Sequence, residues 1–247
     1  MKALALNSSP NKDRGGTGLM LNALLDGLRE AGASVELQHI YGLTVRPCLA
    51  CFDCWLKTPG TCRQRDEMQA LYPKIAACDV LVFATPLYAD GMNAPMKALV
   101  ERCLPLLEPF FEIRDGHCQH PVRSWVRPGK VVLVAACGFT ELDNFEPLLA
   151  HVRALSRNLR REFAGALLRP YAAALPDLER MGLEVADIYE AARRAGRELA
   201  ELGAIRSETA AAVSRELVRR EVYVRMVNAR FRRMLGKARG GAAQNGA

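Results

Sequence analysis

The chain has 247 residues and a mass of 27.2 kDa, half of it apolar and a quarter charged, which suits a globular core and excludes collagenous or disordered classes. The formal net charge of +7 belongs to the C-terminal stretch, where Arg206 to Arg239 holds ten Lys/Arg against three Asp/Glu and leaves 24 of each sign before it. No apolar run approaches the roughly 18 residues of a membrane span, Met1–Leu6 is too short for a signal-peptide apolar region, and the eight cysteines suit reduced thiols in the cytoplasm rather than a disulfide framework.

Lys2–Leu6 reads as an apolar strand running into the polar loop 7–16, and Thr17–Ala31 carries Leu21, Leu24, Leu25 and Leu28 at helical spacing. Ser34–Ile40 alternates as a second strand, followed by a cysteine-bearing loop over 46–63 and a helix from about Asp66 to Ala76. Val80–Ala84 is a continuous apolar run, the pattern of a strand buried on both faces. Asn93–Arg102 is helical, and 103–128 is an irregular excursion rich in proline, aromatics and charge. Val131–Ala136 and Glu162–Leu168 read as further strands around the helix Phe145–Asn158. Alternating strands and helices with short connections predict an α/β fold with a doubly wound parallel sheet. Past Pro176 two helical stretches, Leu183–Leu202 and Ser207–Leu235, predict a helical extension over 177–247 on a domain of residues 1–176, ending in a disordered tail from Gly236. The basic face of the second stretch reads as a solvated surface; nucleic-acid binding through it is the minor alternative.

Cys48, Cys51, Cys54 and Cys62 follow the spacing C-x2-C-x2-C-x7-C. Two-residue gaps turn successive thiolates toward one centre, the manner in which a chain wraps an iron–sulfur cluster, whereas zinc sites more often use two separated C-x2-C hairpins. Three readings stand: a [4Fe–4S] cluster, a loop of reduced cysteines, and zinc. Cys78 and Cys103 read as core residues, and Cys137 as a packing residue in a loop after a strand. The mixed segment Asp115–His120 reads as a substrate-side or interface loop rather than a metal site.

In open α/β sheets ligands sit outside the carboxyl ends of the strands. Three loops reach that edge: Ser8 to Gly18, Thr85 to Lys97, and Ala136 to Glu141. The first contains neither G-x-G-x-x-G nor a P-loop lysine motif, which disfavours a dinucleotide or nucleoside triphosphate, but hydroxyls and free amides at a helix start suit a phosphate.

Ser9-Pro10 with Gly16-Thr17, the Cys48–Cys62 loop with Phe52 and Trp55 between ligands, Asp66, and Thr85-Pro86-Leu87-Tyr88 leading to Lys97 together resemble the flavodoxin-like NAD(P)H-dependent FMN reductase family, and within it the iron–sulfur flavoproteins. The resemblance covers residues 1 to about 170. It implies a flavodoxin-like five-stranded sheet of order 2-1-3-4-5. It further implies FMN held at Ser9, Asn11, Gly16 and Thr17, with the flavin ring against Pro86, Leu87, Tyr88, Ala89, Asp90 and Gly91 and near Cys137 and Gly138. NAD(P)H would be the co-substrate, the four loop cysteines would ligate iron, and the chain would form a homodimer or homotetramer serving a small-molecule or protein redox partner. A departure is that the family's first loop commonly opens Gly-Ser-Pro where this chain has Ser8-Ser9-Pro10. The function so implied is an FMN-dependent oxidoreductase passing electrons from NAD(P)H to an iron–sulfur cluster, a quinone or another acceptor; a non-catalytic electron carrier or redox sensor is the alternative.

Overall fold

A computed structural model describes residues 1–172 and 175–244. In chain order the elements are β1 (Lys2–Asn7), α1 (Gly16–Glu30), β2 (Ser34–His39), α2 (Asp53–Leu56), α3 (Met68–Ala77), β3 (Val80–Tyr88), β4 (Gly91–Met92), α4 (Ala94–Glu101), β5 (Glu112–Arg114) and β6 (His117–Gln119). They continue with β7 (Gly129–Ala136), α5 (Glu146–Asn158), β8 (Arg161–Arg169), α6 (Leu175–Arg180), α7 (Ala186–Glu201), α8 (Ser207–Ser214) and α9 (Arg220–Gln244).

Five parallel strands lie in the order β2-β1-β3-β7-β8, which is 2-1-3-4-5 when parallel strands alone are counted. This is the doubly wound, flavodoxin-like arrangement the sequence predicts. β4 adds a two-residue antiparallel pairing to the end of β3, and β5 and β6 form a separate hairpin.

Alternation along each strand sorts the core into two layers. Leu4, Leu6, Leu81, Phe83, Val131 and Leu133 face the layer of α3, α4 and α5. Ala3, Ala5, Val80, Val82, Val132 and Val134 face the layer of α1, α7 and α8. In the second layer α1 and α7 touch backbone to backbone: a Cβ on Gly27 would lie 1.8 Å from the Arg193 carbonyl oxygen, and one on Gly196 would lie 2.1 Å from that of Leu24. The ion pair of Arg197 with Glu30, at 2.8 Å, ties the same two helices across 167 residues of sequence. The segment beyond 176, read from the sequence as an extension, therefore shares one apolar core with β1, β3 and α1.

The single helix predicted over Ser207–Leu235 is broken at 215–219, between α8 and α9. Buried Arg169 is responsible: its guanidinium donates to the carbonyls of Val213 (2.5 Å) and Arg215 (3.0 Å), taking acceptors that a continuing helix would use. Burial and the neighbouring Arg215 push the Arg169 pKa down to about 10. Arg215 itself turns to extended backbone (ψ 146°) and pairs with Asp187 at 2.5 Å. α9 runs on to Gln244, past Gly236 where the sequence reading begins a disordered tail; residues 245–247 lie outside those described. No helix among the described residues is long and apolar enough to cross a membrane.

Candidate functional site

The loop after β1 is fixed from below before it reaches the surface. Asn7 Oδ1 accepts the Ser9 amide (2.9 Å), a local turn of the kind short amide side chains favour, and the Ser8 amide donates to the Ala84 carbonyl (2.9 Å). Asn93, 3% exposed at the start of α4, donates from Nδ2 to the Ser8 carbonyl at 2.6 Å, and its own amide donates to Thr85 Oγ1 at 3.2 Å. The loops after β1 and β3 are thus bound to one buried amide side chain.

α1 begins without a side-chain cap. Its first intrahelical bond runs from the Leu19 amide to the Gly15 carbonyl, so the amides of Gly16, Thr17 and Gly18 have no acceptor within the helix. Glycine is required where the chain passes closest to its neighbours: a Cβ at Gly16 would stand 2.6 Å from that of Ala172, and one at Gly18 would stand 2.0 Å from the Lys12 carbonyl oxygen. Ser9 and Thr17 are buried beside these amides. Free donors with hydroxyls at a helix N-terminus form a cradle for a phosphate.

A cleft of about 260 Å³ opens over this cradle. Ser9, Asn11, Gly16, Thr17, Pro86, Leu87, Tyr88, Cys137 and Gly138 line it, as the resemblance assigns, and Arg14, Gly15, Ala136 and Ala172 join them. Ala89, Asp90 and Gly91 stand apart from its lining. The cause is that β3 runs four residues past Ala84 and then reverses, with Ala89 (φ 46°) and Asp90 (φ 60°) forming the turn into β4. Tyr88 is half exposed at the cleft mouth. Burial pushes the Cys137 thiol up, which keeps it protonated and suits the packing role read from its sequence context.

The third loop is held by residues far along the chain. The amides of Tyr171 and Ala172 donate to the carbonyls of Phe139 (3.0 Å) and Cys137 (2.9 Å), and Tyr223 of α9 donates its hydroxyl to the Gly138 carbonyl at 2.7 Å. Tyr223 also packs edge-on against Tyr171, ring centroids 4.9 Å apart.

Cys48, Cys51, Cys54 and Cys62 line one small cavity together with Arg102 and Leu104, and no carboxylate or imidazole joins that lining. The thiol of Cys54 is pushed up to about 11, first by burial and then by the neighbouring Cys62, Cys48 and Cys51. Cys62, Cys48 and Cys51 thus lie near enough for their charge to act on Cys54, and bound iron would favour the thiolate there. Ala50 (φ 50°) and Phe52 (φ 54°) adopt the left-handed conformation between the cysteines, folding the segment back on itself around them. Among the described residues no three His, Cys, Asp or Glu side chains stand as a chelating set for a single metal ion. The all-thiol donor set suits an iron–sulfur cluster, which the four cysteines would hold, rather than a singly chelated ion.

Both ends of the cysteine segment meet at one buried pair. Arg102 and Asp66 are each 1% exposed at the side chain, joined at 2.7 and 3.0 Å, and Arg102 Nη1 also donates to the Arg46 carbonyl at 2.8 Å. Burial pushes the Asp66 carboxyl up, but hydrogen bonds from Arg102 and the Arg46 amide outweigh it and hold the group below its usual range. Nothing in the local sequence marks Arg102, the last residue of a predicted helix, as part of this site. Phe52 and Trp55 of the loop stack with centroids 5.4 Å apart, and tilted contacts continue from Trp55 to His120 (4.8 Å) and from His120 to Phe111 (4.9 Å), joining the cysteine loop to the flank of the β5–β6 hairpin.

A phosphate cradle, an aromatic at the cleft mouth and a switch-point position on a 2-1-3-4-5 sheet define a flavodoxin-like ligand-binding protein. The chain belongs to the NADPH-dependent FMN reductase family, whose model matches residues 1–158. It is 36% identical over 141 residues to an iron-sulfur flavoprotein of Archaeoglobus fulgidus, a match covering 57% of this chain and 58% of that one. The matched relatives are thus spanned over little more than half their length. Among solved structures, an NAD(P)H:quinone oxidoreductase from Methanothermobacter marburgensis superposes with a TM-score of 0.54 at 18% identity, covering 81% of this chain and 96% of the other. An FMN-dependent NADH-azoreductase from Bacillus anthracis, solved with FMN, gives 0.55 at 14% identity over 82% and 99%. At these identities the two structures speak for the fold alone.

Proposed function

We propose that this chain is an FMN-dependent oxidoreductase that takes electrons from NAD(P)H and passes them to an iron–sulfur cluster in its own cysteine loop, to a quinone or to another acceptor. The observation that carries the reading is the cleft at the carboxyl edge of the sheet, where unpaired first-turn amides of α1 meet Pro86, Leu87 and Tyr88. Ser9, Thr17 and the amides of Gly16 to Gly18 would hold the FMN phosphate, and Tyr88 would wall the ring. Bound FMN would supply the hydride and electron chemistry, so the protein would need to supply binding and orientation rather than an acid–base pair. Cys48, Cys51, Cys54 and Cys62 would ligate a [4Fe–4S] cluster, supported by their shared cavity and by the iron-sulfur flavoprotein relatives. Exposed Leu49, Leu56, Phe110, Phe111 and Ile113 around the cysteine loop and hairpin support a homodimer or homotetramer. A cytoplasmic setting completes the reading, with eight free thiols.

An anaerobic UV–visible spectrum with iron and acid-labile sulfide assayed on the same sample tests it, followed by turnover of NADPH and NADH with a quinone. Flavin bands, about four irons per chain and turnover are expected. A colourless protein that takes up no added FMN refutes the proposal, and cofactors without turnover identify an electron carrier instead.

A further inference from the structure

Arg102 carries more hydrogen-bonding capacity than its partners use. The two terminal nitrogens bond to Asp66 and to the Arg46 carbonyl, so the guanidinium clamps the chain just before Cys48 and just after Cys62. The third donor, Nε, is buried and has no hydrogen-bond partner, and Arg102 lines the cysteine cavity. Cys62 lies close enough to act on Arg102 electrostatically. A buried bidentate pair adds little stability, since an apolar pair of like volume is commonly as stable, and a buried N–H left without a partner is itself destabilising. An anionic sulfur in the cavity would answer both.

Resting on the cluster proposed above, we infer that Arg102 is a positioning residue that sets the cluster's reduction potential: Asp66 fixes the guanidinium, and the guanidinium offers its charge and its Nε–H to the sulfurs of the cysteine site. Hydrogen bonds to cluster sulfurs and nearby net charge are two of the levers that set such potentials. Reduction adds one electron to the cluster and no proton moves, because arginine keeps its proton throughout. A cation beside the site favours the reduced form; the carboxylate behind it opposes.

The test is an anaerobic potentiometric titration with dithionite and mediators, followed by electron paramagnetic resonance, on the full chain and on Arg102→Lys and Asp66→Asn, with iron and sulfide measured on each. Lysine keeps the charge but has no Nε–H donor. At undiminished iron content Arg102→Lys should lower the reduced-to-oxidised ratio at the native midpoint about tenfold, which is 59 mV for a one-electron couple. Asp66→Asn keeps the guanidinium and removes the opposing charge, and should shift the potential upward. Arg102→Lys with full iron and an unchanged potential overturns the inference. Should that variant lose its cluster, Asp66→Asn decides: an unmoved or lowered potential overturns it equally. A native chain that takes up no iron and sulfide on anaerobic reconstitution refutes the cluster itself, which is a separate result.

Discussion

Asn93→Ala is the substitution that best separates a designed cleft from an incidental one. The side chain is buried, its Nδ2 holds the Ser8 carbonyl at 2.6 Å, and its Oδ1 receives a longer bond of 3.4 Å from Thr85 Oγ1. Thr85 keeps a second acceptor, the Pro86 carbonyl at 3.0 Å, so the loss falls mainly on Ser8, which is fully buried. A lost bond contributes about 1 kcal/mol and a stranded buried carbonyl about 1–3 kcal/mol, so the expected destabilisation is about 2–4 kcal/mol. With a urea m-value near 3 kcal/mol/M, as suits a chain of this size, the midpoint should fall by on the order of 1 M at unchanged m. Because Ser8 precedes Ser9 in the phosphate cradle, FMN should also bind about tenfold more weakly, read by quenching of flavin fluorescence. A midpoint within about 0.2 M of the native one, together with native FMN affinity, refutes the coupling of the two loops through Asn93.

Gly27→Ala should destabilise by about 1–3 kcal/mol in the same urea assay although alanine is the better helix former, because its Cβ would meet the Arg193 carbonyl; Gly236→Ala, with open space around it, should be neutral or stabilising. Tyr223→Phe keeps the ring against Tyr171 but frees the Gly138 carbonyl, and should weaken FMN binding several-fold while the urea midpoint moves little; equal affinity by titration would separate α9 from the cleft. Asp79 is held below its ordinary 3.8 by the Lys2 amide and then by Arg127. Its contribution is therefore present above about 3.8 and lost as the pH falls through the lowered folded value, so Asp79→Asn should flatten the fall in stability below pH 4, seen in urea midpoints against pH.

The sheet was legible because a strand buried on both faces must be apolar throughout: Val80–Ala84 and Val131–Ala136 both stand at 0–5% exposure. The turn into α1 that lines the cleft was legible from glycines and hydroxyls ahead of a helix. Hairpins were missed despite their turn chemistry, since Asp115-Gly116 carries the positive φ values (50° and 75°) of a tight turn and joins β5 to β6. What no local pattern carries is tertiary: Arg169 ends α8 from another layer, Ala172 enters the cleft after the last strand, and Arg102 reaches back to both ends of the cysteine loop. Arg14 lay inside a loop already singled out, yet a lone arginine there gives no sign of facing the cleft rather than solvent.

The crossing of α1 and α7 sets the order in which the nascent chain can finish folding. α1 leaves the ribosome early and can pack on β1 and β3, but the side that meets α7 at Gly27 stays open until Arg193 and Gly196 are synthesised. A chain released after residue 158, where the family match ends, would carry Ser9, Gly16, Thr17 and the cysteines but lack β8 and Ala172, and would leave the α7-facing side of α1 open. Such long-range closure slows folding and leaves an aggregation-prone intermediate meanwhile. The residues that complete the cleft, Ala172 and Tyr223, thus arrive late in synthesis, on either side of the helix that covers α1.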